Sequence, residues 1–357
     1  MKAWGEPRQG ADEQGAEAHD VDGRDRAEAI EALEAHGVDL DPVPPGHHRH
    51  GDDVHAHDHP HPHARAEAGE PPATGIIGAG AVGTALGVAL HRAGWPVRAV
   101  ASRDAGRRER FRDLVEGSRA FAEAAALVDD VELIIVAVPD DAVATVAAEI
   151  RMYSGQAMVH TSGALDGSVL APAMAAGTQI GSFHPLVAFA DTERAVAALH
   201  GATVAIEGDD QLADLLGRMA EAIGATAVRL APGSKSAYHA AAVLAAGGFV
   251  ALLDAIAELG RVAGLDEAGS LAIYGPLVEQ TLGNARALGI RAALTGPITR
   301  GDRGTLEAHL RALEAHAPGV LDLYAAAAER EIALAEDRGA LTPEAAADLR
   351  NSLATRP

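Results

Sequence analysis

The sequence predicts an α/β domain with a doubly wound parallel sheet, followed by an all-α domain. Two observations carry this. Short apolar runs at 75–77, 97–101, 133–138, 157–161, 179–183, 203–207 and 227–230 alternate with helical stretches, the pattern of strands covered on both faces and joined by helical crossovers. After Pro232 these runs stop, and apolar residues recur at helical spacing through 236–263, 266–288, 303–315, 319–337 and 343–354. The expected divisions are a leader over 1–72, an α/β domain over 73–232 and a helical domain over 233–357.

The leader differs from the rest in composition. It carries 17 Asp or Glu against 6 Lys or Arg, few large apolar residues and ten of the chain's 17 histidines, so it is expected to be largely disordered around, at most, a short helix over 24–36. His55, His57, His59, His61 and His63 alternate, which in an extended chain brings several imidazoles within reach of one divalent nickel, zinc or copper ion. Weak metal binding follows from such a tract whether or not it has a physiological use.

The first strand of the α/β domain ends in Gly78-Ala79-Gly80-Ala81-Val82-Gly83. With 39 glycines in 357 residues the bare G-x-G-x-x-G pattern says little, and its setting gives it weight. It follows a strand, opens a helix to Ala93, meets Gly94 just past that helix and returns in the strand at 97–101. There Gly78 makes a tight turn, Gly80 lets the backbone approach a pyrophosphate, and Gly83 lets the helix pack closely on the sheet. The helix start offers free N–H groups and a partial positive charge. A Rossmann dinucleotide-binding domain is expected.

The end of the second strand selects between cofactors. An acidic residue there would hold the ribose 2′-hydroxyl of NAD. Ser102 and Arg103 stand in its place, with Arg107 and Arg108 close behind, and a hydroxyl beside a guanidinium fork suits a 2′-phosphate. NADP is therefore expected, and Asp104 keeps NAD open if the strand ends later.

Open α/β sheets bind ligands at the carboxyl ends of their strands. Val138-Pro139-Asp140 turns away from one such end and joins the expected cofactor contacts. His160-Thr161-Ser162-Gly163 and Ser182-Phe183-His184-Pro185 close the next two. In the helical domain Lys235 and His239, four residues apart, share one helix face. Asn284, Thr295 and Arg300 complete the candidate substrate contacts, with Arg300 either clamping a carboxylate bidentately or bracing its loop by pairing with Asp302.

Four segments resemble a known family: Val159-His160-Thr161-Ser162-Gly163-Ala164-Leu165, Gly181-Ser182-Phe183-His184-Pro185-Leu186-Val187-Ala188-Phe189, Lys235-Ser236-Ala237-Tyr238-His239-Ala240-Ala241-Ala242-Val243 and Leu294-Thr295-Gly296-Pro297-Ile298-Thr299-Arg300-Gly301-Asp302. They look like the bacterial Rossmann-like proteins with a C-terminal helical domain of unknown function. The resemblance covers about residues 73–340 and implies a 6-phosphogluconate dehydrogenase-like fold with NADP binding, without supplying a substrate. Ala246-Gly247 stand where many relatives carry Ser-Asn. A more distant similarity to prephenate dehydrogenases implies that Ser162 and His184 flank a reacting hydroxyl, with His184 moving its proton; the other reading is that His184 only fixes its loop. Similarity to β-hydroxyacid dehydrogenases implies Lys235 as acid/base or carboxylate ligand, with His239 where they place an Asn. Against that stands an ordinary exposed lysine in a helix's first turn. The helical domain is expected to dimerise the chain.

Composition narrows the classes. A net charge of −22 argues against nucleic-acid or anionic-membrane binding, and the absence of Cys excludes disulfides, thiolate nucleophiles and Cys-ligated metal. The best membrane candidate, 240–253, spans 14 residues between His239 and Asp254 and reads as a buried helix. No apolar signal opens the chain, and a cytoplasmic location is expected. The expected function is that of an NADP-dependent oxidoreductase acting on a small carboxylate-bearing hydroxy, keto or imino compound between the two domains. A non-catalytic dinucleotide sensor or metal-handling protein is the alternative.

Overall fold

The computed structural model describes residues 47–50, 53–56, 69–231 and 233–355, and contacts divide the chain at 64/65. In the first unit β1 (His47–His50) and β2 (Asp53–Ala56) pair antiparallel, with His47 opposite Ala56. The rest of the leader up to residue 68, including the helix expected over 24–36 and His57, His59, His61 and His63 of the expected metal tract, lies outside the described residues; His55 is on β2, where only the backbone is described. Among the described residues no group of three or more His, Asp or Glu could hold a metal ion.

The second unit is built on eight strands: β3 (Thr74–Ile77), β4 (Val97–Ala101), β5 (Arg119–Phe121), β6 (Leu133–Val136), β7 (Ala157–His160), β8 (Gln179–Pro185), β9 (Thr203–Glu207) and β10 (Thr226–Arg229). They lie in the order β10-β9-β8-β7-β6-β3-β4-β5. All pairs are parallel except β8 and β9, which run antiparallel with Ser182 opposite Glu207. The expected doubly wound parallel sheet is present, with one antiparallel pair that the sequence did not indicate, because an apolar strand buried on both faces carries no direction in its sequence. The edge strand β5 was not expected: three residues, Arg-Ala-Phe, make no apolar run.

Helices α1 (Ala81–Arg92), α2 (Ala105–Leu114), α3 (Asp140–Glu149), α4 (Thr192–Leu199) and α5 (Asp210–Ala222) cover the sheet. Strand β6 shows why both faces must be covered. Leu133 and Ile135 belong to one apolar cluster with Leu86, Phe111 and Phe183, while Ile134 and Val136 belong to a second with Ile77, Met158 and Leu170. Alternate side chains leave opposite faces, and burying each contributes about 1.5–3 kcal/mol. Because β3 has β4 on one side and β6 on the other, chain order reverses there and opens a crevice at the carboxyl ends of β3 and β6.

Beyond β10 the chain is helical: α6 (Lys235–Val243), a π turn over Leu244–Gly248, α7 (Phe249–Val262), α8 (Glu267–Leu288), α9 (Ile290–Ala293), α10 (Arg303–His316), α11 (Leu321–Asp337) and α12 (Pro343–Ala354). Asp266, Asp302 and Thr342 start α8, α10 and α12 by accepting backbone N–H bonds. Asp302 therefore caps α10 through Thr305 N–H. Leu306, Leu310, Ile332 and Leu349 close a separate small core.

The helix expected to be buried over 240–253 is not buried. Val243, Leu244 and Val250 are 52%, 71% and 63% exposed, and Ile273, Leu277 and Leu282 on α8 are similarly bare. Residues Lys235–Val262 form one helix long and apolar enough to cross a membrane by length and composition, with 11% of its most apolar window buried. Apolar periodicity marks a face that needs cover without saying whether the cover comes from the same chain.

Candidate active site

The glycine turn is built by close backbone contacts. Gly78 has φ +108°, and a Cβ on it would lie 2.2 Å from the Ala137 carbonyl oxygen; a Cβ on Gly83 would lie 1.9 Å from that of Gly78. Both positions exclude any side chain. Gly80 is different: no atom of the described residues lies within 4 Å of where its Cβ would be. The fold itself does not require that glycine, which leaves the approach from the crevice open. Gly80 is also the N-cap of α1 without a side-chain capping bond, and no acidic residue stands in the first turn. Among the described residues the N–H groups and positive end of α1 are therefore unmatched, as an anion site requires.

A cavity of about 680 Å³ opens there, in the range of cofactor sites. Its walls include Gly78, Ala79, Gly80, Ala81, Val82, Ser102, Arg103, Val138 and Pro139, all expected from the sequence. Gly83 lies beneath the turn, and Asp140, which starts α3, is not part of the wall. Arg107, noted close behind Arg103, is also in the wall, while Glu123, Thr145, Val146 and Glu149 are wall residues that the sequence reading missed. Glu123 follows β5, so overlooking that strand hid its side of the cavity.

At the outer end of the cavity Asp104 caps α2, its Oδ1 accepting the Arg107 N–H at 2.9 Å, and its Oδ2 lies 3.7 Å from Arg107 Nε. The backbone bond to Arg107 is the main cause that holds its carboxyl below the usual range. Arg108 donates to the Ser102 carbonyl. Arg103 carries no ion pair among the described residues and faces the cavity beside Ser102.

The inner end stops at Thr161. Next to it, Ser162 Oγ accepts the Ala164 and Leu165 N–H groups, both at 3.1 Å, so its own hydroxyl proton remains for another acceptor. His160, fully buried, accepts the Ser162 N–H on Nδ1 and faces the Asp166 carbonyl with Nε2. Burial, followed by the Lys235 charge, pushes its pKa down to about 4.

Gly163 is the meeting point of the expected catalytic residues. A Cβ on it would lie 2.2 Å from His239 Nδ1 and 2.7 Å from His184 Nε2. The two imidazoles stand edge to face, centroids 5.7 Å apart, and His239 Nδ1 is buried without a hydrogen-bond partner among the described residues. His184 Nδ1 lies 3.2 Å from the Tyr238 hydroxyl. Burial first, then the His239 and Lys235 charges, pushes His184 down to about 4, so it is neutral near pH 7.

Lys235 is not an exposed first-turn lysine. It is 4% exposed, and its Nζ donates at 2.5 Å both to Ser182 Oγ and to Glu207 Oε2, while Ser182 Oγ donates to the same carboxylate at 2.6 Å. Burial lowers its pKa, and the Glu207 bond opposes that shift. The antiparallel register of β8 and β9 creates this socket by setting Ser182 opposite Glu207.

Asn284, Thr295 and Arg300 are exposed on the helical part and are not among the cavity's wall residues. Sequence reasoning placed His160 and Ser182 at strand ends without giving them a role, and it missed Glu207 and the role of Tyr238. Tyr238 had a signal, since it falls between Lys235 and His239 on the same helical arc.

Two family matches fit this geometry. A Rossmann-like domain matches residues 64–185, and a domain of unknown function, DUF2520, matches residues 202–331. The chain joins a Rossmann-like domain to a DUF2520 domain. That is the family indicated by the four segments quoted above, although the DUF2520 match begins ahead of β9 and so takes in the last two strands. Among solved structures, a Bacteroides fragilis protein assigned as an NADP oxidoreductase is 25% identical, with TM-score 0.62 over 73% of this chain and 98% of its own. A Thermotoga maritima protein is 26% identical, with TM-score 0.58 over 74% and 99%. The 1-pyrroline-5-carboxylate reductase of Streptococcus pyogenes, 17% identical with TM-score 0.54 over 75% and 99%, shares the fold. No curated protein matches the sequence.

Proposed function

We propose that the chain is an NADP-dependent reductase of a small carbonyl or imino compound, acting where the dinucleotide cavity ends at Thr161. The observation that carries this reading is the pairing of an uncapped α1 N-terminus at Gly80 with Ser102, Arg103 and Arg107 on one cavity wall. The first suits a pyrophosphate and the second a 2′-phosphate. The Bacteroides fragilis relative assigned as an NADP oxidoreductase supports it.

The reduced nicotinamide would supply the hydride. Gly78 to Val82 would hold the pyrophosphate, Val138 and Pro139 would flank the nicotinamide end, and Ser162 would hold the substrate heteroatom with a hydrogen bond from its hydroxyl. His184 and His239 enclose the reacting space and keep water from it. Lys235, committed to Glu207 and Ser182, fixes the first turn of α6 over the strand ends. Arg300, exposed on the helical part, would pair with a substrate carboxylate.

The same reading includes a homodimer formed through α7 and α8. Asp254, Glu258 and Arg261 recur at helical spacing within the apolar helix, giving it a polar face, and Lys235 anchors its first turn in the sheet. Both features suit a helical partner better than a bilayer. Sedimentation should give twice the chain mass, and a double charge substitution, Val250→Glu with Leu277→Glu, should halve it; a wild-type monomer would end this part of the account.

The test of function is NADPH oxidation followed at 340 nm with cyclic imines and keto acids. Substrate-dependent loss of absorbance supports a reductase. Tight NADPH binding without turnover on any of them would favour a dinucleotide sensor.

A further inference from the structure

The reduction needs a proton donor as well as a hydride, and His184 is poorly suited to supply it, being a neutral imidazole in a buried setting. Three observations point to another group. The Tyr238 hydroxyl lies 3.2 Å from His184 Nδ1, with the rings edge to face at 5.7 Å. Tyr238 stands in the first turn of α6, which Lys235 pins to Ser182 and Glu207 at the carboxyl edge of β8. The other side of His184, Nε2, abuts Gly163, two residues beyond the end of the cavity wall at Thr161.

We propose that Tyr238 is the proton donor of this site and that His184 is the positioning residue that holds its hydroxyl. The assignment rests on the reductase reading and deepens it. As the substrate carbon accepts the hydride, the C=O or C=N π pair moves to the heteroatom. The heteroatom takes the phenolic proton as the Tyr238 O–H bond breaks. The phenolate is held by His184 with its proton on Nδ1, and solvent returns a proton after the product leaves. A phenol holds its proton at neutral pH, and because burial raises the pKa of Tyr238 further, the phenolate left by the transfer depends on the bond from His184. The charged and titratable groups around the pair are His239 and Lys235 on α6, Asp140 at the start of α3, and His160 on β7.

The test uses the full chain labelled with ¹³Cζ-tyrosine. The chain has four tyrosines, and Tyr238→Phe assigns the signal. Adding NADP⁺ should move the Tyr238 resonance and lower its titration midpoint by roughly half a unit or more, because the cationic nicotinamide favours a nearby phenolate. His184→Ala should raise the midpoint, and His184→Asn, which keeps a donor near the Nδ1 position, should restore part of it. If calorimetry shows NADP⁺ bound while the Tyr238 signal and midpoint stay fixed, Tyr238 is not the donor and the cofactor reading survives. If NADP⁺ does not bind, both fall. On a turned-over substrate, Tyr238→Phe should lower kcat about 10²- to 10⁴-fold with NADPH affinity intact; activity within threefold of wild type would overturn the assignment.

Discussion

Lys235 and Glu207 form an ion pair at 2.5 Å in which the ammonium side chain is 5% exposed, joining the first turn of α6 to the last residue of β9. A charge so enclosed is tolerated only while its partner is present. The pair therefore acts as a fastening between the helical part and the sheet, and Ser182 completes it by bonding to both members.

Lys235→Met should lower stability by about 2 kcal/mol or more, a figure kept below that of a fully enclosed pair because Glu207 is 22% exposed. Replacing both partners, Lys235→Met with Glu207→Leu, should recover part of the loss. Urea unfolding of the two variants measures it. Equal midpoints for Lys235→Met and wild type would show that the pair fastens nothing.

Acid should destabilise the protein before its carboxylates titrate. His160 is fully buried with a folded pKa of about 4 against 6.5 for the free side chain. Between those values the unfolded chain binds a proton that the folded chain refuses, so the stability is present above pH 6.5 and is lost as pH falls toward 4. The loss is on the order of 3 kcal/mol from this group, and His184 acts in the same direction. Unfolding at pH 7 and pH 4.5, with an imidazole NMR titration, checks this; a His160 midpoint near 6.5 would contradict it.

Gly163→Ala tests whether the strand end and α6 meet as closely as described. The added carbon would fall 2.2 Å from His239 Nδ1 and 2.7 Å from His184 Nε2, forcing α6 or the loop to shift at a cost of about 1–3 kcal/mol. Turnover on a confirmed substrate should drop at least roughly tenfold, with NADPH affinity retained because Gly163 is outside the cavity wall. Full activity would mean that the histidines do not need this approach.

Much of this was legible in the sequence, and the exceptions have physical reasons. The glycine turn and the central strands could be read because their demands are local: positive φ at Gly78, close packing at Gly83, and continuous apolar runs such as 133–136. The direction of β9 could not, since an apolar strand reads alike both ways. The role of Lys235 was hidden because its partner lies 28 residues earlier and only the antiparallel pairing brings it near. The helix over 240–253 was expected to be buried because its apolar face is real, but this chain leaves it uncovered. The ring of histidines and Tyr238 around Gly163 needed the packing of α6 on the strand ends, which no local spacing specifies.

The cavity between Gly80 and Arg103 should take a dinucleotide carrying a 2′-phosphate. Titration of NADPH and NADH fluorescence tests it directly. NADPH should bind about tenfold more tightly or better, a difference of about 1.4 kcal/mol, and Arg103→Ala should remove most of that preference while leaving NADH affinity nearly unchanged. Equal affinities in the wild-type protein, or a preference that survives both Arg103→Ala and Arg107→Ala, would contradict it.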